Sequence, residues 1–205
     1  MAVRPGWTHP SRMDHLATLK ALLLADSHRL PLLRAVSALG LPDSWIGAGC
    51  VRDAVWDHLH GRPPAPPAGD VDVVWFGPGG DAALDRGTET RLRAATPGVA
   101  WSVTNQARMS GRNGDAPYLD IADALARWPE TATAVAARWT GDGLEVLAPF
   151  GLEDLFGLVL RPTPRFAGEK RAVYRDRVAG RRWRERYPLL REAEPQATGC
   201  SRPVG

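Results

Sequence analysis

Cysteine is nearly absent from this chain of 205 residues: there are two, Cys50 and Cys200, far apart and in unlike surroundings, so no disulfide framework is expected. Long apolar runs are missing as well. No stretch approaches the ~20 residues that span a bilayer, and Met1 to Pro10 mixes charge, proline and tryptophan where a signal peptide would be apolar. These absences point to a soluble, cytoplasmic protein. No internal repeat is visible, and the formal net charge is only +3. Tyrosine and phenylalanine are scarce, three and four residues against eight tryptophans, which suggests a few large anchors in one compact core. With 44% hydrophobic residues, the length suits one full domain and falls short of two.

The small net charge hides a local excess. Between Arg161 and Arg191 there are eleven Lys or Arg against three acids, so the rest of the chain is net acidic. Such a segment steers nucleic acid by counterion release, with Trp183 or Tyr174 free to stack on a base, or it is a solvated helical face whose aromatics anchor it to the core. The second reading is the better supported, since aromatics in a small domain are more often packed than presented.

Chemistry concentrates in Trp45 to Phe76, which reads WIGAGCVRDAVWDHLHGRPPAPPAGDVDVVWF. Gly47-Ala48-Gly49 is a turn in which glycine permits close backbone approach, and Val51, Ala54, Val55 and Leu59 recur at helical spacing up to the stop at Gly61. A helix over Cys50 to His60 points its free N–H groups at the turn and favours a phosphate there. After a proline-rich loop, Asp70 to Phe76 alternates as a strand, with Val71, Val73 and Trp75 on one face and Asp70 and Asp72 on the other. Two carboxylates so placed converge, and a hard cation, Mg²⁺ or Mn²⁺, relieves their repulsion. Taken alone, Gly-Asp-Val-Asp also fits a solvated strand entrance; the turn and helix upstream favour the site. Arg52 either meets a phosphate or pairs with Asp53. His58 and His60, two apart on a helix, do not share a face and make a poor metal pair.

Elsewhere the pattern gives helices from Ser11 and from about Pro31, an Asp81-capped helix, a strand over Val99 to Thr104, a short helix over Asp120 to Trp128, and a strand over Glu130 to Trp139 paired with Leu144 to Ala148. Arg108 to Asp115 is polar and glycine-rich with a turn at Asn113-Gly114. From Gly168 onward two helical pieces are expected, broken near Gly180, and Glu192 to Gly205 lacks an apolar pattern and reads as disordered. His9, His15 and His28 show no ligand spacing and are expected at the surface.

The order Gly-x-Gly, Val-Arg-Asp, then Asp-x-Asp resembles the head of the polymerase beta nucleotidyltransferase superfamily, in particular the motif of CCA-adding and poly(A) polymerases, where the two glycines are adjacent. The segments GAGCVRDAVWDHLHG, DVDVVWF, WSVTNQARM, WPETATAV and APFGLEDLF are similar to a bacterial nucleotidyltransferase-like family of unassigned substrate, over roughly residues 45 to 190. The resemblance implies an α+β fold: a single nucleotidyltransferase-type domain, a mixed β-sheet flanked by helices, with a helical extension over 1–44, the core over 45–160, a basic helical segment over 161–191 and a tail over 192–205. It also implies a Mg²⁺-dependent enzyme that moves an NMP from an NTP to an acceptor and releases pyrophosphate, with Asp70 and Asp72 on the metals and Gly47, Ala48, Gly49 and Arg52 on the nucleotide. Two ions in such sites lie ~3.5–4 Å apart and clamp attacking and leaving oxygens. A third carboxylate is expected from a strand beside the Asp-x-Asp strand. Val99 to Thr104 offers none, so Glu130, in a Glu-Thr-Ala-Thr that resembles the Glu-Val-Ala-Thr of poly(A) polymerases, is the candidate, with Glu145 the alternative. The competing classes are a nucleotide-binding or regulatory module of this fold without turnover, and a basic RNA-binding protein. Acceptor (small molecule, protein or RNA), preferred base and oligomeric state are left open.

Overall fold

Helices and strands form where the two periodicities lie, and the computed structural model describes residues 12–195. In chain order these are α1 (Arg12–Ala25), α2 (Arg29–Ser37), β1 (Trp45–Gly47), α3 (Gly49–Leu59), β2 (Val71–Trp75), α4 (Ala82–Ala95) and β3 (Trp101–Asn105). A 3-10 turn (Gln106–Arg108), α5 (Met109–Asn113), α6 (Ile121–Ala126), β4 (Ala136–Trp139), β5 (Leu144–Leu147) and α7 (Glu153–Phe156) follow. The chain continues through β6 (Val159–Leu160), α8 (Pro164–Ala167), α9 (Arg171–Arg181), α10 (Trp183–Arg186) and β7 (Arg191–Glu192). The leader, Ser11 as a cap, His9, Cys200 and the tail beyond 195 lie outside the described residues.

The main sheet is mixed, in the order β3-β2-β1-β4-β5. β1 runs antiparallel to β2 and β4, β4 and β5 form the expected hairpin, and β2 and β3 are parallel. A parallel pair needs a crossover, and α4 supplies it, its first N–H groups capped by Asp81 as expected. Strand alternation then assigns the faces. Ile46, Val71, Val73, Trp75, Trp101 and Val103 join Leu19 and Leu23 of α1, Leu32, Leu33 and Val36 of α2, Val51, Val55 and Trp56 of α3 and Leu92 of α4 in the larger core. On the opposite face a smaller cluster of Trp45, Val74 and Ala136 is covered by Ile121 and Leu125 of α6. That cover is partial, and the uncovered part of this face carries the candidate site. Among the described residues no helix is long and apolar enough to cross a membrane.

Helix α2 begins before Pro31 because Asp26 accepts from the backbone N–H of His28 and Arg29 and also makes a buried pair with the Arg29 side chain. The glycine-rich stretch after β3 is α5, not an open turn, although Gly114 closes it in the left-handed region as Asn-Gly suggested. Gly180 is tolerated inside α9, and the break falls at Arg182 (φ 52°), because Trp183 must turn to pack on Trp56. Arg191, the last residue of the expected helical segment, and Glu192, the first of the expected tail, form a strand that pairs with β6.

The strand expected over Glu130 to Trp139 is only its second half. The backbone N–H groups of Thr133 and Ala134 both donate to the carbonyl of Glu130, making a turn, and Glu130 pairs instead with Pro162. Thr131 donates to Arg161 and Thr163 to Pro129, so residues beyond β6 have taken the ladder that the β-branched pattern suggested for the main sheet.

Candidate active site

Asp72 sits in the middle of three strands, opposite Gly47 of β1 on one side and Ser102 of β3 on the other. Asp70 lies exposed just before β2, two residues away on the same face. Burial pushes the Asp72 carboxyl above its ordinary value and the Asp70 charge adds to this, while Arg181, Arg177 and a hydrogen bond from Ser102 pull it back. A cation placed between the two carboxylates would relieve that repulsion. Among the described residues no group of three or more His, Cys, Asp or Glu forms a metal cage. Two carboxylates completed by substrate phosphates are the donor set Mg²⁺ ordinarily takes, so the pair fits the ion.

Helix α3 starts one residue beyond Ala48, and no side chain caps it. The Val51 N–H donates to the Ala48 carbonyl, which leaves the N–H groups of Gly49 and Cys50 to meet an anion at the edge of a cleft that holds Gly49, Arg52, Asp70 and Asp72 together. Ala48 carries the sharp turn, at φ 52° and ψ −129°, a conformation that ordinarily favours glycine. Gly47 is not at the cleft surface. A Cβ there would come within 2.8 Å of the Trp128 ring, so its small size serves packing. Cys50 also borders the cleft, its thiol buried and raised to about 12 by that burial.

Arg52 is held within the protein. Its Nε and Nη2 donate to Asp53 at 2.9 and 2.7 Å, Nη1 donates to Thr133 at 3.1 Å, and the guanidinium lies between the rings of Trp56 and Trp183, 4.6 Å from each. Arg52 makes the ion pair with Asp53 and also borders the cleft. Asp53 reaches the other way to Arg186 at 3.8 Å, which also meets Asp57 at 3.4 Å. These acids on α3 dock α10, and Trp183 and Tyr187 close edge-on against Trp56.

The basic segment therefore folds back over the site. Arg177 and Arg181, one turn apart on α9, together with Arg186, Trp183 and Tyr187, form the wall facing Gly49, Asp70 and Asp72, and enclose about 250 Å³. The aromatics are packed, not presented. Charge composition signalled this wall; its direction required the fold. A second lobe of about 290 Å³ opens beyond Asp72, lined by Ser102, Thr104, Gln106, Met109, Asn113 and Trp128. Ala48, Asp72, Arg177 and Arg181 border both lobes.

Neither candidate for a third carboxylate lies on a strand beside β2, whose neighbours are β1 and β3. Glu145 is on the far edge strand, two strands removed from β1's own neighbour β2 by β1 and β4, and is held by Arg138 at 2.6 Å. Glu130 is buried off the sheet and bonds Arg177 at 2.7 Å. The adjacency expected of Glu130 is corrected for the reason given above, the ladder with Pro162. His60 is structural, bonded to the Trp56 carbonyl and to the Leu189 N–H.

A sequence profile described as Nucleotidyltransferase matches residues 34–191. No curated protein matches the chain. Among solved structures, one whose NMR determination reveals a CCA-adding enzyme head domain is similar at 29% identity and a TM-score of 0.78, over 87% of this chain and 95% of that one. A CCA-adding enzyme in complex with CTP is similar at 18% identity and a TM-score of 0.56, over 86% of this chain and 43% of that one. The Thermotoga maritima CCA-adding enzyme complexed with tRNA_CCA is similar at 20% identity and a TM-score of 0.54, over 86% and 42%. This chain thus spans less than half the length of those two enzymes, and at such identity they share its fold.

Proposed function

The chain belongs to the nucleotidyltransferase family, of polymerase beta-like type, and from that premise we propose that it moves an NMP from a Mg²⁺-bound NTP to an acceptor hydroxyl and releases pyrophosphate. The observation that carries this reading is the single cleft in which Asp70 and Asp72, the open first turn of α3, and Arg177 and Arg181 face one another. Each supplies one requirement of phosphoryl transfer, which is a matter of positioning and charge more than of covalent chemistry.

The β- and γ-phosphates lie against the N–H groups at the start of α3, with Arg181 and Arg186 offsetting their charge from the opposite wall. Asp70 and Asp72 would hold the divalent ion, which would supply Lewis-acid charge to the phosphate oxygens. The α-phosphate then lies at Asp72, where the two lobes meet. The second lobe takes the acceptor, its Ser102, Thr104 and Gln106 offering hydrogen bonds to a hydroxyl-bearing group. A second reading, a nucleotide-binding module without turnover, is favoured by one observation: β3 places Ser102 and not an acid beside Asp72.

Incubation of the protein with each α-labelled NTP, Mg²⁺ and a cell extract separates the readings. Transfer predicts label in an acceptor, in the small-molecule, protein or RNA fraction, that disappears with Asp72→Asn. Mg²⁺-dependent NTP binding without any labelled acceptor selects the non-catalytic module, and no NTP binding at all overturns both.

A further inference from the structure

Glu130 is fully buried, yet its Oε2 has no hydrogen-bond partner among the described residues, and its Oε1 accepts only from Nε of Arg177, at 2.7 Å. Burying a carboxylate with one oxygen unpartnered is costly, and the charge of Arg177 is what offsets it. The partner is the residue at the junction: Arg177 borders both lobes of the cleft, and its charge acts on Asp72. Glu130 occupies the Nε of the guanidinium, and the Trp183 ring lies 5.6 Å from it. The terminal nitrogens have no hydrogen-bond partner among the described residues and are left for the cleft. An arginine with Nε engaged and both terminal nitrogens available is pre-organised for a planar, two-point contact with phosphate.

We propose that Glu130 is a positioning residue: it anchors Arg177 so that both terminal nitrogens meet the phosphate beside Asp72, the group that is transferred. The proposal rests on the nucleotidyl-transfer reading of the cleft and assigns Glu130 a role different from the acid beside the metal ligands that its sequence context suggested. Glu130 acts through Arg177 and does not touch the substrate.

The alternative is that the pair only staples α9 to the core, and Arg177→Lys separates the two. Lysine keeps a charge to pair with Glu130 but has a single nitrogen to divide between Glu130 and phosphate. Titration calorimetry of the full chain with Mg²⁺ and the four NTPs, beside a thermal melt, reads both quantities. For the NTP that the wild type binds, Arg177→Lys is expected to melt within a few degrees of wild type and to bind about tenfold more weakly. Glu130→Gln is expected to weaken binding similarly, and the double variant no further than either single change, because both act through one guanidinium. Wild-type affinity in Arg177→Lys, in Glu130→Gln or in both overturns the proposal, as do losses that add in the double variant. If the wild type itself shows no Mg²⁺-dependent NTP binding, the nucleotidyl-transfer reading fails first, and this inference with it.

Discussion

Gly47 lies directly opposite Asp72 across the antiparallel β1–β2 ladder. Residues so paired project to the same face, so the side chain that Gly47 lacks would lie beside the Asp72 carboxylate. The Trp128 ring fills that place and becomes a wall of the second lobe. The first glycine of the motif thus shapes the cleft indirectly, while the turn itself falls to Ala48 and the helix start to Gly49.

That division predicts opposite outcomes at adjacent positions. Gly47→Ala sets a methyl group 2.8 Å from Trp128 and is expected to cost about 1–3 kcal/mol as an overpacked site does. Ala48→Gly relieves a left-handed φ of 52°, for which a gain of about 1 kcal/mol and a rise of about 2–4 °C in melting temperature are expected. Thermal melts of both variants check this, and a stabilising Gly47→Ala would remove the packing account.

Asp72 is held above its ordinary pKa of 3.8 by burial and by Asp70. The folded protein therefore holds that proton more tightly than the unfolded chain does, and ionised Asp72 is a penalty on folding at neutral pH that is released as pH falls through the raised value toward 3.8. Asp72→Asn is expected to melt higher than wild type at pH 7 and to lose that advantage on acidification, while losing Mg²⁺-dependent NTP binding. Wild-type affinity for Mg²⁺–NTP should begin to weaken at a higher pH than an ordinary aspartate would give. A variant that melts lower at pH 7 and binds normally would contradict both halves.

Arg29 is almost fully buried and donates to Asp26 at 2.6 Å, to the Cys50 carbonyl at 2.7 Å and to the Ala65 carbonyl at 3.0 Å. It ties the turn before α2 to the first turn of α3 and to the proline-rich loop that leads into Asp70. Arg29→Ala leaves Asp26 buried without its cation, and a cost of about 3–5 kcal/mol is expected from urea unfolding. A cost below about 1 kcal/mol would show the network to be dispensable.

The Cys50 thiol, raised to about 12 by burial in the first turn of α3, should resist alkylation at pH 8 in the folded protein and react once urea exposes it. Peptide-level mass spectrometry follows Cys50 alone. Rapid labelling of this peptide in the native state would place the thiol at the surface of the cleft.

Local physics made much of this legible in advance. Helix α3, strand β2 and the hairpin follow from periodicities carried by the residues themselves, and Asp70 and Asp72 share a face because side chains alternate along any strand. The Asp81 cap and the closing Gly114 are likewise local, since each needs only its own backbone neighbours.

What the sequence by itself determined is the set of elements, the two aspartates and a basic segment without an address. Tertiary structure decided where that segment goes and which neighbour each element takes. Glu130 and its β-branched successors suit a strand in any sheet, and only the competition for partners gave Glu130 to Pro162 and its carboxylate to Arg177. Arg52 stands next to Asp53 in any conformation, but the Trp183 ring over its guanidinium comes from more than a hundred residues later and exists only in the folded chain. Hydrogen-bond ladders and ring contacts between distant segments form only once the chain is folded, and no spacing along the sequence encodes them.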